Sequence, residues 1–111
     1  DQPTILVDCG SICKCLEGAT GRKPDVFIGK PNPDILFGVL GSKGIKPSEA
    51  AIVGDRIYTD VKTGVNAGAM GVLVLSGETT MEMVGTSDVT PTLICRDIEE
   101  FGSLLYQARN N

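Results

Sequence analysis

The chain has no histidine among its 111 residues. A structural zinc site wants about four nitrogen or sulfur ligands. Here the sulfurs would have to carry it, and Cys9, Cys13 and Cys15 follow C-x3-C-x-C rather than the usual C-x2-C. Positive charge is also short. Ten Lys and Arg face fourteen Asp and Glu, for a net charge of −4, which argues against a nucleic-acid partner or an anionic membrane surface. No apolar run approaches the roughly 20 residues of a membrane-spanning helix. The first residues show no basic, apolar, small-residue targeting pattern, so the expected compartment is the cytoplasm. There is no internal repeat and no low-complexity linker. Four unevenly spaced cysteines in a glycine-rich chain do not form a disulfide framework.

What is present reads as an α/β chain with parallel strands. Short apolar runs alternate with helical patterns. Strands are expected at "TILV" (4–7), "DVFI" (25–28), "AAIV" (50–53), "GVLVL" (71–75) and "TLIC" (92–95). A first helix is expected over 11–20, capped by Ser11, with positions 12, 16 and 19 on one face and Gly21 as its stop. Asn32 caps a second helix with Pro33 at its first position, Ile35, Leu36, Val39 and Leu40 as its buried stripe, and Gly44 at its end. Further helices are expected at about 58–68, 79–84 and 97–108. Asp97 caps the last, which turns Ile98, Phe101 and Leu105 inward.

Two stretches carry chemistry. In "AAIVGDRIYTD" (50–60) a buried strand ends at Gly54-Asp55, and Asp60 follows near a helix start. Ligands of open α/β sheets bind beyond the carboxyl ends of strands. Two carboxylates bracketing one tight loop suit Mg2+, which takes oxygen ligands and keeps several waters. The bland alternative is a strand-end turn followed by a helix-capping acid. In "GKPNP" (29–33), Lys30 stands at a strand end before a helix N-terminus. It is a compact charge for phosphate oxygens there, although most lysines are simply solvated. The prolines on either side of Asn32 stiffen the loop that would aim it.

"GKPNPDILFGVL" followed by "AAIVGDRIYTDVKTGVNAGAMGVLVLSGETT" resembles the C-terminal part of the haloacid-dehalogenase-like (HAD) phosphatases. The branch is that of the nitrophenylphosphatases, phosphoglycolate phosphatases and pyridoxal phosphatase. "GSICKCLEGATGRKPDVFIGKP" resembles the segment in which the chain leaves that branch's cap and re-enters the core. The resemblance implies a Rossmann-like parallel sheet with flanking helices, incomplete because the nucleophile strand and cap are missing. It divides the chain into a cap-to-core remnant (1–24) and a C-terminal core part (25–111). It further implies Mg2+-dependent phosphomonoester hydrolysis through an aspartyl-phosphate, with a phosphorylated small molecule as substrate. Lys30 matches the lysine that neutralises nucleophile and phosphoryl group. Asp55 matches the direct Mg2+ ligand, and Asp60 the second acid, nearer the outer shell. Asn32 and Arg56 are weaker candidates, organising the loop or lying near substrate.

The family's nucleophile and general acid stand in a D-x-D-G-T/V loop, and no D-x-D occurs in these 111 residues. An aspartyl-phosphate mechanism needs both carboxylates, so this chain by itself is expected to be inactive. "ILVDCG" imitates that loop with its second Asp deleted. The preferred reading places Asp8 at the end of the cap rather than at the nucleophile position. Cys13 and Cys15 cannot share one helix face, and Cys9, Cys13 and Cys15 read as small helix-entry residues; a low-pKa thiolate at Cys9 or Cys13 is the minor alternative.

A non-catalytic binding or assembly module, or a truncated relic, is the alternative function. A phospho-acceptor receiver domain ranks lower, because its lysine follows the acceptor Asp whereas Lys30 precedes Asp55. Without a neighbouring nucleophile strand, "AAIV" exposes an apolar edge. The chain is therefore expected to self-associate or to fill the gap with residues 4–7.

Overall fold

The computed structural model describes residues 7–111. The expected strand at 4–7 falls almost wholly outside the described residues. Three parallel strands form the sheet: β1 (Ala51–Gly54), β2 (Met70–Val74) and β3 (Leu93–Cys95), in spatial order β1-β2-β3. Ala51 pairs with Met70 and Gly54 with Leu73; Val72 pairs with Leu93 and Val74 with Cys95. Five α-helices accompany them: α1 (Cys9–Thr20), α2 (Asp34–Lys43), α3 (Lys62–Ala67), α4 (Met81–Thr86) and α5 (Ile98–Asn110).

Alternation along β2 splits the core in two. Leu73 joins Ile57, Val61 and Val89 on one face, with Leu75 and Val84 packed beside them. Val72 and Val74 join Cys95 and Phe101 on the other. That is the period-two geometry of a strand buried on both sides. The sheet advances in one direction, so both right-handed crossovers fall on one face. Val61 ahead of α3 and Val84 of α4 accordingly meet the Leu73 cluster, while α5 returns across the opposite face through Phe101. Each fully buried aliphatic side chain contributes about 1.5–3 kcal/mol, and β2 supplies two of the most buried, Val72 and Leu73.

Several expectations are met. Asp97 caps α5, its side chain accepting from Glu100 N at 2.9 Å. Gly21 and Gly44 end α1 and α2 in the left-handed conformation. Others need correction. Residues 25–28 form no strand; Val26, Phe27 and Ile28 are 56–58% exposed. A strand needs a ladder partner, and this one has none among the described residues. Helix α1 begins two residues earlier than expected, at Cys9, and its cap is Asp8, whose side chain accepts from Gly10 N at 3.1 Å, rather than Ser11. Both side chains are cap-competent, and capping from the upstream one lengthens the helix by about half a turn. No residue of α1 is buried. In α2 only Leu40 is buried, and in α5 only Phe101; Ile35, Val39, Ile98 and Leu105 stay exposed. Their apolar spacing is real, but no described element covers it.

The turn from β1 into α3 departs from the expected regular helix. Ile57–Val61 forms one wide π-type turn, with Lys62 N donating back to Ile57 O. The extra residue in that turn decides where Asp60 points.

Candidate functional site

β1 delivers Asp55 to its carboxyl end, and the wide turn swings Asp60 back beneath the strand end. The close approach shows at Gly54. A Cβ there would lie 2.6 Å from Asp60 Oδ2, and closer still to its Cβ and Cγ. Only glycine leaves room for this packing. Asp60 is buried, at 8% exposure. Its Oδ1 accepts the Lys30 ammonium, and its Oδ2 accepts from Arg56 N at 3.3 Å. Lys30 and Asp60 thus meet across thirty residues of sequence.

Lys30 sits in a turn, not at the end of a strand as expected. The loop around it is held by Asn32, whose amide donates to Phe27 O at 2.5 Å while its oxygen accepts from Asp34 N at 2.9 Å. Asn66 Nδ2 of α3 donates to Pro31 O at 3.2 Å, which ties the loop to the helix below Asp60. The Lys30 side chain remains about half exposed, so its charge faces solvent as well as Asp60.

Asp55 is fixed from the neighbouring strand. Its Oδ2 accepts from Glu78 N at 2.8 Å, and its carbonyl from Thr79 N at 3.1 Å. Gly77 permits this, because a Cβ there would come within 2.5 Å of Asp55 Cγ. Thr79, fully buried, closes the junction by accepting from Ile57 N at 3.1 Å. The side chain of Glu78 then turns outward, accepting from Arg56 Nε at 2.6 Å and from the Tyr58 hydroxyl. The Tyr58 hydrogen bond, reinforced by Arg56, holds the Glu78 carboxyl below its ordinary value. The Glu78 hydrogen bond raises Tyr58 in turn, and Glu78 likewise raises Arg56.

Lys30 and the Arg56 amide therefore meet on Asp60 just beyond the carboxyl end of β1, where Asp55 also lies, while the Asn32 side chain bonds within its own loop and the Arg56 side chain turns to Glu78. Asp8 does not join them through a hydrogen bond among the described residues. It caps α1 and lines a cleft of about 460 Å³ with Cys9, Cys13, Phe27 and Lys30. The contribution of Gly77, Glu78 and Tyr58 was not legible in the sequence. The available signal was positional: β2 is parallel to β1, so its carboxyl-end loop must lie beside the loop of Asp55.

The donor set suits a divalent oxygen-seeking cation in part. Among the described residues no three Cys, Asp or Glu side chains gather as a cage. Both carboxylate oxygens of Asp60 are engaged, whereas among the described residues only Oδ2 of Asp55 accepts a hydrogen bond. One direct carboxylate oxygen with water filling the other positions is the kind of coordination Mg2+ accepts.

Residues 27–101 match the HAD-hydrolase-like family model. The chain is 35% identical over 92 residues to ribonucleotide monophosphatase NagD of Escherichia coli K12, covering 83% of this chain and 36% of that protein. It is 38% identical over 96 residues to the acid sugar phosphatase of Staphylococcus aureus USA300, covering 86% and 37%. Among solved structures, the 4-nitrophenylphosphatase of Thermotoga maritima is 43% identical with a TM-score of 0.78, covering 86% of this chain and 37% of that one. The chain thus spans a little over a third of the length of the relatives it matches.

Proposed function

Because the chain belongs to the HAD-hydrolase-like family, we propose that it is the C-terminal core segment of a Mg2+-dependent phosphomonoester hydrolase. In this reading residues 1–24 are the remnant of the cap-to-core transition and 25–111 the core part. The observation that carries it is the convergence of Lys30, Asp55 and Asp60 at the end of β1. Asp55 offers one oxygen directly to the cation. Asp60, engaged on both oxygens, aims Lys30 rather than binding metal itself. Lys30 presents a half-exposed ammonium to phosphoryl oxygens. Asn32 holds the Lys30 loop, and Arg56 ties the Asp55 loop to Glu78. Bound there, Mg2+ would offset the negative charge of a transferring phosphoryl group.

The 111 residues hold no D-x-D pair, so in this proposal they do not turn over substrate alone; the aspartyl-phosphate belongs to the complete enzyme. Asp8 serves as a helix cap, not as a substitute nucleophile. β1 has no partner on its outer edge among the described residues, and we assign that edge to the nucleophile strand of the complete enzyme and, when the segment is alone, to self-association or to residues 4–7.

Hydrolysis of p-nitrophenyl phosphate by the isolated chain with Mg2+ tests this. The expected result is no turnover above background. Mg2+-dependent turnover that disappears in Asp8→Asn would make Asp8 the nucleophile and overturn the assignment. The reading also expects a D-x-D-G-T/V strand to be encoded upstream of Asp1, and an upstream sequence without one contradicts it.

A further inference from the structure

The Lys30 ammonium sits on Asp60, but that ion pair does not hold it there alone. The Lys30 side chain is 49% exposed. A pair with one half-exposed partner gains little beyond the side-chain entropy that ordering a lysine costs. The backbone that carries the side chain must therefore be held by something else. Two hydrogen bonds at this turn are internal to the loop. Asn32 N donates to Gly29 O at 3.1 Å, and the Asn32 amide donates to Phe27 O at 2.5 Å. They set the shape of the loop but not its place on the core. The bond that reaches it from the core comes from Asn66, whose Nδ2 donates to Pro31 O at 3.2 Å. Among the described residues it is the one hydrogen bond besides Lys30–Asp60 that joins residues 27–32 to the β1–α3 unit.

Asn66 and Asp60 stand on one rigid piece. The wide turn Ile57–Val61 runs directly into α3. Thr63, Gly64 and Ala67 of α3 are buried, and a Cβ on Gly64 would lie 3.1 Å from Gly71 Cα, so the helix lies close on β2. This piece grips two consecutive residues of the loop. Asp60 takes the Lys30 ammonium, and Asn66 takes the Pro31 carbonyl. Two fixed points on one element define a direction, whereas a single point lets the loop pivot.

We propose that Asn66 is a positioning residue: it holds the Pro31 carbonyl so that the Lys30 ammonium stays on Asp60, just beyond the end of β1. The consequence for phosphate binding rests on the reading of Lys30 as the lysine that meets phosphoryl oxygens; the positioning itself does not. An asparagine suits the task because its amide is a neutral donor. An aspartate in its place has only acceptor oxygens to set against the Pro31 carbonyl. An alanine has neither donor nor acceptor and is a better helix former, so α3 survives the exchange.

The test follows the nuclear Overhauser effect between the Lys30 ε-methylene and the Asp60 β-methylene in the 111-residue chain. The expected result is a cross-peak in the wild type that is lost in Asn66→Ala and in Asn66→Asp, with the amide signals of β1, β2 and β3 in place. Asn110→Ala removes a comparable exposed bond, to Tyr106 O in α5, and is expected to keep the cross-peak. No cross-peak in the wild type, persistence in Asn66→Ala, or equal loss in Asn110→Ala overturns the proposal. Titration with inorganic phosphate in the presence of Mg2+ separates this from the phosphatase reading. The expected result is a saturable shift of the Lys30 ε-methylene, with a Kd about two- to tenfold higher in Asn66→Ala, the worth of one hydrogen bond. A cross-peak lost in Asn66→Ala with no phosphate response in the wild type upholds the positioning and overturns the phosphoryl role of Lys30. An equal Kd in the two proteins overturns the consequence for phosphate binding.

Discussion

Gly54→Ala is the substitution whose outcome the structure dictates most sharply. The added methyl meets Asp60 at its Cβ, its Cγ and, at 2.6 Å, its Oδ2. A flexible side-chain end could swing aside, but the Cβ of Asp60 is fixed by the wide turn Ile57–Val61, whose Val61 is completely buried. The carboxylate is also tethered at both oxygens, to Lys30 and to Arg56 N. Relief therefore requires the turn to move and the tethers to lengthen. Overpacking of this kind costs about 1–3 kcal/mol, with partial loss of the buried tethers adding about 1 kcal/mol. The internal control is Gly102→Ala in α5, where a Cβ meets nothing within 4 Å and the gain in helix propensity is about 0.5–1 kcal/mol. The same chemical change thus has opposite signs at two positions. Urea unfolding reads it. With a slope of about 1–3 kcal/mol per molar, Gly54→Ala lowers the midpoint by about 1 M or more while Gly102→Ala raises it. Equal midpoints for wild type and Gly54→Ala, or a Gly102→Ala variant as destabilised as Gly54→Ala, would refute the reasoning.

Three further outcomes are expected. Asp97→Ala removes the cap that accepts from Glu100 N and lowers stability by about 1 kcal/mol; an unchanged urea midpoint contradicts the cap. Thr59 Oγ1 is buried without a partner among the described residues, so Thr59→Val leaves stability equal or raises it by about 1 kcal/mol, and a marked loss would show that the hydroxyl is engaged. The Tyr58–Glu78 contact stabilises the fold in a window bounded on both sides. Glu78, lowered by its hydrogen bond, contributes above the ordinary carboxylate value of 4.5 and loses that contribution as pH falls through its depressed value. Tyr58, raised, contributes fully below 10.0 and loses its share as pH climbs through the raised value. A double-mutant cycle of Tyr58→Phe and Glu78→Gln across pH therefore shows coupling at neutrality that fades at both extremes, and coupling independent of pH contradicts the assignment.

The central sheet was legible because its signals are local. "AAIV", "GVLVL" and "TLIC" are short apolar runs between turn residues, and Asp97 and Gly44 are caps of the expected type. The misreadings share one cause. Residues 25–28, and the apolar stripes of α1, α2 and α5, have the periodicity of buried elements, but periodicity cannot say whether a partner is at hand. Ser11 read as the cap of the first helix, while Asp8, three residues upstream, takes that role in the structure. In the site, Lys30 and Asp55 were visible as charged residues beside glycines at loop positions, and Asp60 as a second acid five positions after Asp55. The wide turn that aims Asp60 was not, nor was the Gly77–Glu78 support beneath Asp55. Both depend on contacts between β1 and β2 loops about twenty residues apart, for which the sequence offers only the rule that parallel strands end side by side.

The claim that Asp55 is the cation ligand of a Lys30–Asp55–Asp60 site is tested most directly with Mn2+ as a paramagnetic substitute for Mg2+, followed through the backbone amide signals of the chain. The account predicts weak binding that broadens Asp55, Arg56 and Glu78 first, persists in Asp8→Asn and vanishes in Asp55→Asn. Broadening that survives Asp55→Asn unchanged, or that centres on residues remote from the end of β1, would contradict it.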